Sequence, residues 1–529
     1  MKINFSETFS ILAIIYFALI LLASFGLLEK YVLHFELFGV VVGVIGAISL
    51  MQAKPAPFAS KGLLPKENKG KTLHLILFAS IAIILATRLA PFISNSIPLG
   101  YDPGIYKYAF ESYAAGLPNL PFQALDLWLK HWEPQGFFVL TDILFVFGFT
   151  IEQIITSFFI FAELLLGLVI YAVAKNFFGK KEAAIAIFLY AISIIEFKVF
   201  WYFYLKNVIG LILLLTALYL YSKKKHLACA LVAGFLAGVH RPTFLVFTII
   251  FGLNFLIDLK NIKKNLATGI AIALICIGFY FGKFDELLFG VLVPAIESPG
   301  AGTFMDFFQY QFSILIYLPF AVIGGIKLFE SKERRVLLIG AIICLFIAAF
   351  QLIFYNRFLI FLEVFVLLLA AHGISLFISS NAKALVKAAI IGILVVSGVF
   401  LIAGEALNAK PLIGESELNS IKLIGSVTES NALILTTSSY YSPWLKGYAG
   451  RTIIAPGLFD EDKWNKEKWE RFWGTSDENT FNQMLSEYGK PIYVFISSKS
   501  FGNNQKFENN CFEKTPLNEK DALYKFVCG

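Results

Sequence analysis

The sequence predicts a polytopic α-helical membrane protein with about thirteen transmembrane helices and a small C-terminal α/β domain. Three observations predict this fold class. Hydrophobic residues occupy 58% of the 529 positions, 56 of which are Phe, and the mean hydropathy is +0.73. Apolar runs of about twenty residues, long enough to cross a bilayer, recur up to residue 404. Beyond that point, short apolar runs alternate with polar stretches, which is typical of a soluble α/β domain.

The apolar runs define the predicted spans. The first run has no small-residue cleavage site after it, so it is interpreted as a retained span and not as a signal peptide. The two spans around His240-Arg241-Pro242 are short. With windows of about twenty residues, the spans lie near 8–28, 33–52, 73–93, 154–174, 182–201, 205–222, 226–240, 242–258, 265–282, 312–328, 335–354, 358–379 and 385–404.

Lys and Arg in the short loops predict how these spans are oriented. The basic clusters, such as Lys223 to Lys225, all fall on one side if the apolar run from Gly136 to Phe149 does not cross the membrane. That run has about fourteen residues, too few to span a bilayer, so we expect it to be re-entrant or interfacial. The N-terminus is then cytoplasmic, and the loop at 94–153 and the C-terminal region are external. We expect a multi-pass protein of the cell membrane.

The chain divides into three predicted parts. Residues 1–72 hold two helices and a basic loop, 73–404 form the helical core, and 405–529 form an external α/β domain. In the last part, a helix pattern in ESELNSIKLIGSV is followed by strand patterns in ALILTT, PIYVFIS and LYKFVC. Cys511 and Cys528 lie there, and in an oxidising compartment they either form a disulfide or stay free.

Charge and cysteine content exclude several classes of protein. The net charge is +7, but the basic residues recur in short clusters between apolar runs, which indicates membrane topology and not a nucleic-acid surface. Five Cys are too few for a disulfide framework, and no CxxC motif or paired His spacing suggests a zinc site. We therefore expect membrane lipids, and no nucleic acid, among the partners.

The loop at 94–153 is dense in ionisable side chains, which are costly near lipid and usually mark a functional site; a plain solvated loop is the alternative. Tyr101-Asp102-Pro103-Gly104 is a tight turn. Asp102 there acts either as general base on an acceptor hydroxyl or as the cap of the following helix. Glu133, between His131 and Pro134, either orients substrate or satisfies free backbone amides.

A second set of candidates is basic and lies on the same predicted side of the membrane. A cation at this boundary suits a lipid phosphate, which Arg binds through two hydrogen bonds. The alternative is that these side chains only extend to the interface. Within the spans, an ion pair between Arg88 and Glu163 is an open alternative. The boundary candidates are Arg357 in FYNRF, Arg241 after His240, and Lys198 and Lys206 on either side of FWYFY.

Five motifs follow one another through about residues 73 to 404. They read LGYDPGIYKYAFESY, HWEPQGFFVLTDILFVFG, VAKNFFGKK, LAGVHRPTFLVF and FYNRFLIFLEVFVLLLAA. In this order they resemble the acidic loop, the short Pro-containing segment, the basic turn, the Gly-rich helix with its basic turn and the late RY/RF helix of the GT-C superfamily of membrane glycosyltransferases. The protein mannosyltransferase and aminoarabinose transferase branch is the most similar.

The resemblance implies a GT-C-like fold and a glycosyltransferase that uses a polyprenyl-phosphate-linked sugar donor. The acceptor would be a hydroxyl of a glycan, lipid or protein, and a single displacement would invert the sugar. It implies that Asp102 is the base, that Glu133 is a second catalytic residue and that Arg357 contacts the donor phosphate. Further substrate-binding candidates are Tyr101, His131, Lys198, Lys206, His240 and Arg241.

The sequence departs from the family pattern at Glu133, where the family has His or Lys. An acid there would not bind phosphate directly, so dependence on a divalent metal stays open, and no other cofactor is expected. A WWDYG-type motif is absent, which disfavours transfer of a whole oligosaccharide to Asn. The alternative functions are a transporter or lipid-linked sugar flippase, for which no repeated half is visible, and a scaffold with an external recognition domain.

Overall fold

The structure is a computed structural model that describes residues 5–24, 32–52, 68–115, 135–281, 296, 304–329, 335–454, 463–500 and 504–528. The chain forms two compact units. The helical unit comprises Met1–Ile93, Pro134–Phe137 and Phe159–Ala409. The α/β unit comprises Ser94–Glu133, Phe138–Phe158 and Lys410–Gly529.

Helices α1 to α17 precede the C-terminal domain. They are α1 (Phe5–Ser24), α2 (Val32–Gln52), α3 (Asn68–Leu89), α4 (Pro103–Ala115), α5 (Gln135–Val146), α6 (Ile151–Phe177), α7 (Lys180–Ile192), α8 (Ile194–Trp201), α9 (Leu205–Ser222), α10 (His226–Val239), α11 (Arg241–Ile257), α12 (Ile262–Tyr280), α13 (Phe307–Ile314), α14 (Leu318–Leu328), α15 (Arg335–Ala349), α16 (Tyr355–Ser379) and α17 (Ala384–Asn408).

The protein is an integral membrane protein. Among the described residues, six helices are long and apolar enough to cross a bilayer, or up to eight if two bent pairs each count as one span. The predicted count of about thirteen crossings stays a prediction, because helices such as α10, α11 and α15 have only 14, 17 and 15 residues. Helix α5 has 12 residues and is about 18 Å long, consistent with the prediction that this run is too short to span.

The two bent pairs are the main departure from the predicted spans. Helices α7 and α8 meet at 53° and α13 and α14 at 83°, although the sequence analysis treated each pair as one continuous span. Ser193 caps the N-terminus of α8 by accepting from the Glu196 amide, and Pro319 lies in the first turn of α14. Both residue types are favoured at a helix start, which explains why new helices begin there.

The two N-terminal helices belong to the helical unit. The Tyr16 hydroxyl in α1 donates to the Leu315 carbonyl at the α13–α14 break over 2.7 Å, which satisfies a carbonyl that the break leaves open. A Cβ on Gly43 in α2 would lie 2.8 Å from the Pro319 carbonyl oxygen. Glycine there therefore permits the close contact between α2 and α14.

An ion pair lies inside the helical unit, as one of the open alternatives suggested. Arg88 Nη2 in α3 is 3.2 Å from Glu163 Oε2 in α6, and neither side chain is exposed. The Tyr190 hydroxyl donates to the same oxygen over 2.9 Å. A buried guanidinium and carboxylate each need this compensation away from water.

The C-terminal domain is a five-stranded mixed sheet with helices on both faces. Strands β2, β1 and β3 are parallel, and β5 and β4 continue the sheet antiparallel in the order β2-β1-β3-β5-β4. The elements are α18 (Glu415–Val427), β1 (Leu433–Thr436), two helical turns (Ser442–Trp444 and Leu445–Ala449), β2 (Thr452–Ile454), α19 (Lys466–Gly474), α20 (Glu478–Ser486), β3 (Ile492–Ile496), β4 (Phe512–Pro516) and β5 (Ala522–Phe526).

The domain has one apolar core on each side of the sheet. Ile421 of α18 and Trp444 pack on one face, and Phe472 of α19 and Phe481 of α20 pack on the other. The helix and strand patterns in ESELNSIKLIGSV, ALILTT, PIYVFIS and LYKFVC are confirmed as α18, β1, β3 and β5. Cys511 and Cys528 form a disulfide. Of the two predicted alternatives, a disulfide or two free thiols, the disulfide is the one observed.

Candidate functional site

Asp102 lies directly before helix α4 in the α/β unit. Its backbone carbonyl accepts the first hydrogen bond of the helix, from the Tyr106 amide at 3.0 Å, and Pro103 is the first helical residue. Pro is favoured at this position because its missing N–H would be unpaired there anyway. Asp102 therefore occupies the capping position that the sequence analysis weighed against a catalytic role, and its half-buried side chain is compatible with either role.

Two glycines fix the start of α4 against the C-terminal domain. A Cβ on Gly104 would lie 2.1 Å from the Pro443 carbonyl oxygen, and a Cβ on Gly447 would lie 2.1 Å from the Gly104 carbonyl oxygen. No side chain fits at such distances, so the two backbones touch only because both residues are glycine. The turn that carries Asp102 is thus positioned by the helical turns that follow β1.

Aromatic and basic side chains add to this contact. Lys446 Nζ lies 4.4 Å from the Tyr108 ring centroid, and Lys107 Nζ lies 5.3 Å from the Tyr448 ring centroid, both within cation–π range. Tyr101 is hydrogen-bonded to Ser439 in the loop after β1. Burial, followed by the nearby Asp102 carboxylate, raises the pKa of Tyr101, so Tyr101 stays a neutral phenol beside Asp102.

The helical unit brings four of the predicted residues together. The charges of Lys206, Arg357 and Arg241 all act on the ring of His240, which is only 3% exposed. We call these four residues the basic group. The ring of His240 also meets Phe361 edge-on, with centroids 5.9 Å apart, and its Nδ1 is hydrogen-bonded to Thr243.

Each cation of the basic group lies in the first turn of a helix. Lys206 is the second residue of α9, Arg241 the first of α11 and Arg357 the third of α16. A helix N-terminus already carries partial positive charge, so cations there are unfavourable without an anion nearby. Three such helix starts with added cations around one histidine are the arrangement expected of an anion-binding site.

The backbone before two of these helices is unusual. Phe203, three residues before Lys206, has a φ of 65°, and Phe354, three residues before Arg357, has a φ of 46°. Bulky residues rarely adopt these angles, and such strain is found at functional sites. A Cβ on Gly210 in α9 would lie 2.9 Å from the His240 Cβ, so glycine lets α9 approach the histidine closely.

The two arginines differ in how they are held. Arg241 Nε donates to the Tyr280 hydroxyl over 3.3 Å, and that hydroxyl donates to the Ala237 carbonyl over 2.7 Å. Arg357 stacks its guanidinium 5.4 Å from the Phe354 ring centroid, and its buried Nε has no hydrogen-bond partner among the described residues. The Arg357 fork therefore keeps donor capacity for an anion.

The other predicted site residues are Lys198, Glu133 and His131. Lys198 Nζ is 3.9 Å from Glu405 Oε1. Glu133 and His131 lie outside the described residues. In the C-terminal domain, Arg451 Nη2 donates to the backbone carbonyls of Gly425 and Thr428.

Two buried acids were missed by the sequence analysis. Glu196 in α8 and Glu363 in α16 are both 0% exposed. Each is an isolated acid in an apolar run, the signal that drew attention to Arg88 and Glu163. Within the residues that the structure describes, no group of three or more His, Cys, Asp or Glu side chains is arranged to hold a metal ion.

A scan against protein-family models and a search of curated proteins each find no match. Solved structures do match. The chain is 13% identical to archaeal oligosaccharyltransferase AglB from Archaeoglobus fulgidus in complex with an inhibitory peptide and a dolichol-phosphate, with a TM-score of 0.57 over 81% of this chain and 70% of that one.

A second solved structure with a similar fold is ArnT from Cupriavidus metallidurans bound to undecaprenyl phosphate. The chain is 12% identical to it, with a TM-score of 0.55 over 87% of this chain and 99% of that one. The chain therefore has the GT-C fold that its motifs resemble.

Proposed function

We propose that the protein is a glycosyltransferase that moves a sugar from a polyprenyl-phosphate-linked donor to an acceptor hydroxyl on the external face of the membrane. Its fold is shared with AglB and ArnT, whose structures hold dolichol-phosphate and undecaprenyl phosphate. The acceptor would be a glycan, a lipid or a protein. The N-terminus would be cytoplasmic and the α/β domain external, as the Lys and Arg distribution predicts.

The basic group carries this proposal. Polyprenyl phosphate combines a hydrocarbon chain with an anion at the membrane boundary, and the basic group offers three cations and three helix starts at the ends of apolar helices. Arg357 keeps an unpartnered Nε and suits bidentate binding of phosphate oxygens. Arg241 and Lys206 add charge, and the buried His240 ring holds the turn between α10 and α11.

The chemistry that follows is a single in-line displacement. The acceptor oxygen attacks the anomeric carbon and its proton passes to the Asp102 carboxylate, while the bond between the anomeric carbon and the phosphate oxygen breaks. The electron pair leaves with the lipid phosphate, and the sugar is inverted. The donor phosphate is charged before the reaction and gains charge as it departs. Cations fixed in advance therefore bind the donor in the ground state and stabilise the transition state still more.

Sugar transfer measured against donor concentration tests the proposal. Arg357→Ala removes a charge-assisted contact of about 1.5–3 kcal/mol, so the donor KM should rise about tenfold to a hundredfold. Arg357→Lys should recover part of the loss, because the charge returns without the planar fork. Lys198→Ala is the matched control, since its cation is near Glu405, and should change the donor KM little.

An unchanged donor KM in Arg357→Ala would contradict the proposal that the basic group binds the donor phosphate. Sugar-lipid movement across vesicle membranes without any transfer to an acceptor would instead support the flippase alternative.

A further inference from the structure

Three carboxyl groups are buried close together in the helical unit, and among the described residues Arg88 is the cation that acts on two of them. Glu163 in α6, Glu196 in α8 and Glu363 in α16 are each 0% exposed, as is Arg88 in α3. The charges of Glu363, Glu163 and Arg88 all act on Glu196. We call these three acids the acid cluster. The Arg88 guanidinium balances one carboxylate, so two carboxyl groups remain without a counter-charge among the described residues.

Glu163 forms the ion pair with Arg88. Its Oε2 accepts from Arg88 Nε at 3.4 Å and Nη2 at 3.2 Å, and from the Tyr190 hydroxyl at 2.9 Å. Arg88 also lies 5.7 Å from the ring centroids of Tyr190 and Phe197. Arg88 and Glu163 therefore neutralise each other's charge. Glu196 and Glu363 are the carboxyl groups that have no counter-charge among the described residues.

Glu363 joins the two helix breaks. Its Oε1 accepts from the Ser193 hydroxyl at 2.7 Å and from the Tyr317 hydroxyl. Ser193 is the break residue between α7 and α8, and Tyr317 directly precedes α14 at the break after α13. Its other oxygen, Oε2, has no hydrogen-bond partner among the described residues. One carboxyl group on α16 thus holds both discontinuous helices.

Glu196 is an unpartnered buried side chain within this cluster. Neither of its oxygens has a hydrogen-bond partner among the described residues. It lies in the first turn of α8, directly after the Ser193 break. This is independent of the acid count, because Glu163 and Glu363 each leave one oxygen open, whereas Glu196 leaves both open at zero exposure. Buried polar atoms normally have a partner, so two open oxygens point to a ligand.

The ligand that fits is a proton. The titratable and charged groups around Glu196 and Glu363 are Arg88, Glu163, Tyr190, Tyr317 and, beside Tyr317, Tyr310. Arg88 is the one permanent cation in this set, and it pairs with Glu163. A buried unpaired carboxylate is far costlier than its neutral acid. Among the described residues, no three His, Cys, Asp or Glu side chains are arranged to hold a metal ion.

We propose that Glu196 and Glu363 form an intramembrane proton-binding site at the junction of the two broken helices. Each bound proton, taken from water, converts one carboxylate to a neutral carboxylic acid that carries one O–H donor. Release of the protons at alkaline pH would leave two negative charges beside the breaks. The helices that end at Ser193 and Tyr317 would then separate more readily.

Infrared spectroscopy of the full-length protein in nanodiscs tests this site, because a protonated carboxylic acid has a C=O band distinct from that of a carboxylate. We expect this band in the wild type at neutral pH and its loss on raising the pH, with a parallel fall in Tm. Glu196→Gln mimics the protonated acid, so it should remove part of the band, leave Tm at neutral pH within a few degrees and flatten the alkaline fall. Glu415→Gln, at an exposed position, should keep the wild-type band and pH profile.

Absence of the carboxylic acid band in the wild type at neutral pH would overturn the proposal, and this measurement needs no variant to fold. A band that persists unchanged in both Glu196→Gln and Glu363→Gln would also overturn it. A saturable rise of Tm with NaCl, but not with choline chloride, would contradict the proposal by showing that the site binds a metal cation and not a proton.

Discussion

Glu417 in the α/β unit and Glu196 in the helical unit are both buried carboxyl groups, and they are held in opposite ways. The Glu417 side chain has five donors within hydrogen-bond distance, whereas that of Glu196 has none among the described residues. The donors to Glu417 are the Gly414 amide at 2.6 Å, the Tyr441 hydroxyl at 2.6 Å, the Ser498 hydroxyl at 2.7 Å, the Ser497 hydroxyl at 3.3 Å and Lys499 Nζ at 3.4 Å.

This difference in hydrogen bonding distinguishes a carboxylate that stabilises the fold from one whose oxygens have no donor among the described residues. Glu417 ties the N-terminus of α18 to the loop after β3, so its donors come from parts of the domain that must meet for the sheet to close. The Glu196 side chain has no such donor among the residues that the structure describes. A membrane interior tolerates an open carboxyl only when some ligand, here a proton, neutralises it. The same contrast appears for cations, since Lys499 pairs with Glu417 while Arg357 keeps an open Nε.

The largest loss of stability is expected when the buried Arg88–Glu163 ion pair of the helical unit is broken. Glu163→Gln leaves the buried Arg88 guanidinium without its carboxylate, which should cost about 3–5 kcal/mol of unfolding free energy. Thermal unfolding in nanodiscs would measure this loss. Glu405→Gln is the matched control, because its pair with Lys198 is partly exposed and should matter by less than about 1 kcal/mol. Equal losses in the two variants would contradict the contrast.

A smaller effect is expected in the α/β unit. Glu417→Gln removes the charge from a hydrogen-bonded buried group, which should cost about 1–3 kcal/mol. Hydrogen exchange at the amides of β1 and β3 in the full chain would report it separately from the helical unit. The exposed Glu415→Gln in the same helix turn is the control and should leave this exchange unchanged.

The Glu417 effect should also depend on pH. Burial would raise the pKa of Glu417, but hydrogen bonds from Gly414, Tyr441 and Ser498 and the charge of Lys499 outweigh it and lower the pKa from 4.5 to about 2. A lowered folded-state pKa stabilises the fold above the unfolded value and loses that contribution as pH falls from about 4.5 toward 2. Wild type and Glu417→Gln should therefore converge in stability on acidification. A difference that stays constant over this range would contradict the assigned role.

Several features could be predicted because one residue pattern is enough to specify them. The apolar run 205–222 is α9, and the strand patterns in ALILTT and PIYVFIS are β1 and β3. The two helix breaks were not predicted, because the apolar runs continue through Ser193 and Tyr317. Ser193 and Pro319 suit helix starts, but the contacts of Ser193 and Tyr317 with Glu363 join residues far apart in the sequence. Strand β2 has three residues and β4 is mostly exposed, so neither has a period-two pattern long enough to find.

The residue types of the candidate site could be predicted from their chemistry, but which of these residues lie near one another could be predicted only in part. Arg241, Arg357 and Lys206 were named because cations at span ends suit a lipid phosphate, and His240 directly precedes Arg241. In the structure, the charges of all three cations act on the His240 ring. Lys198 precedes the turn at Phe203 and Lys206 follows it, which is why two lysines eight positions apart have different neighbours. No single-sequence pattern reports that turn.

The most direct test of the glycosyltransferase assignment is the single-turnover rate of sugar transfer by Asp102→Asn. This variant keeps the shape and a capping oxygen at the start of α4 but removes the basic carboxylate. We predict wild-type expression, folding and donor binding, with the transfer rate reduced about a hundredfold to ten-thousandfold; the exposed Glu111→Gln on the same helix should transfer sugar at the wild-type rate. Full turnover by Asp102→Asn would contradict the account.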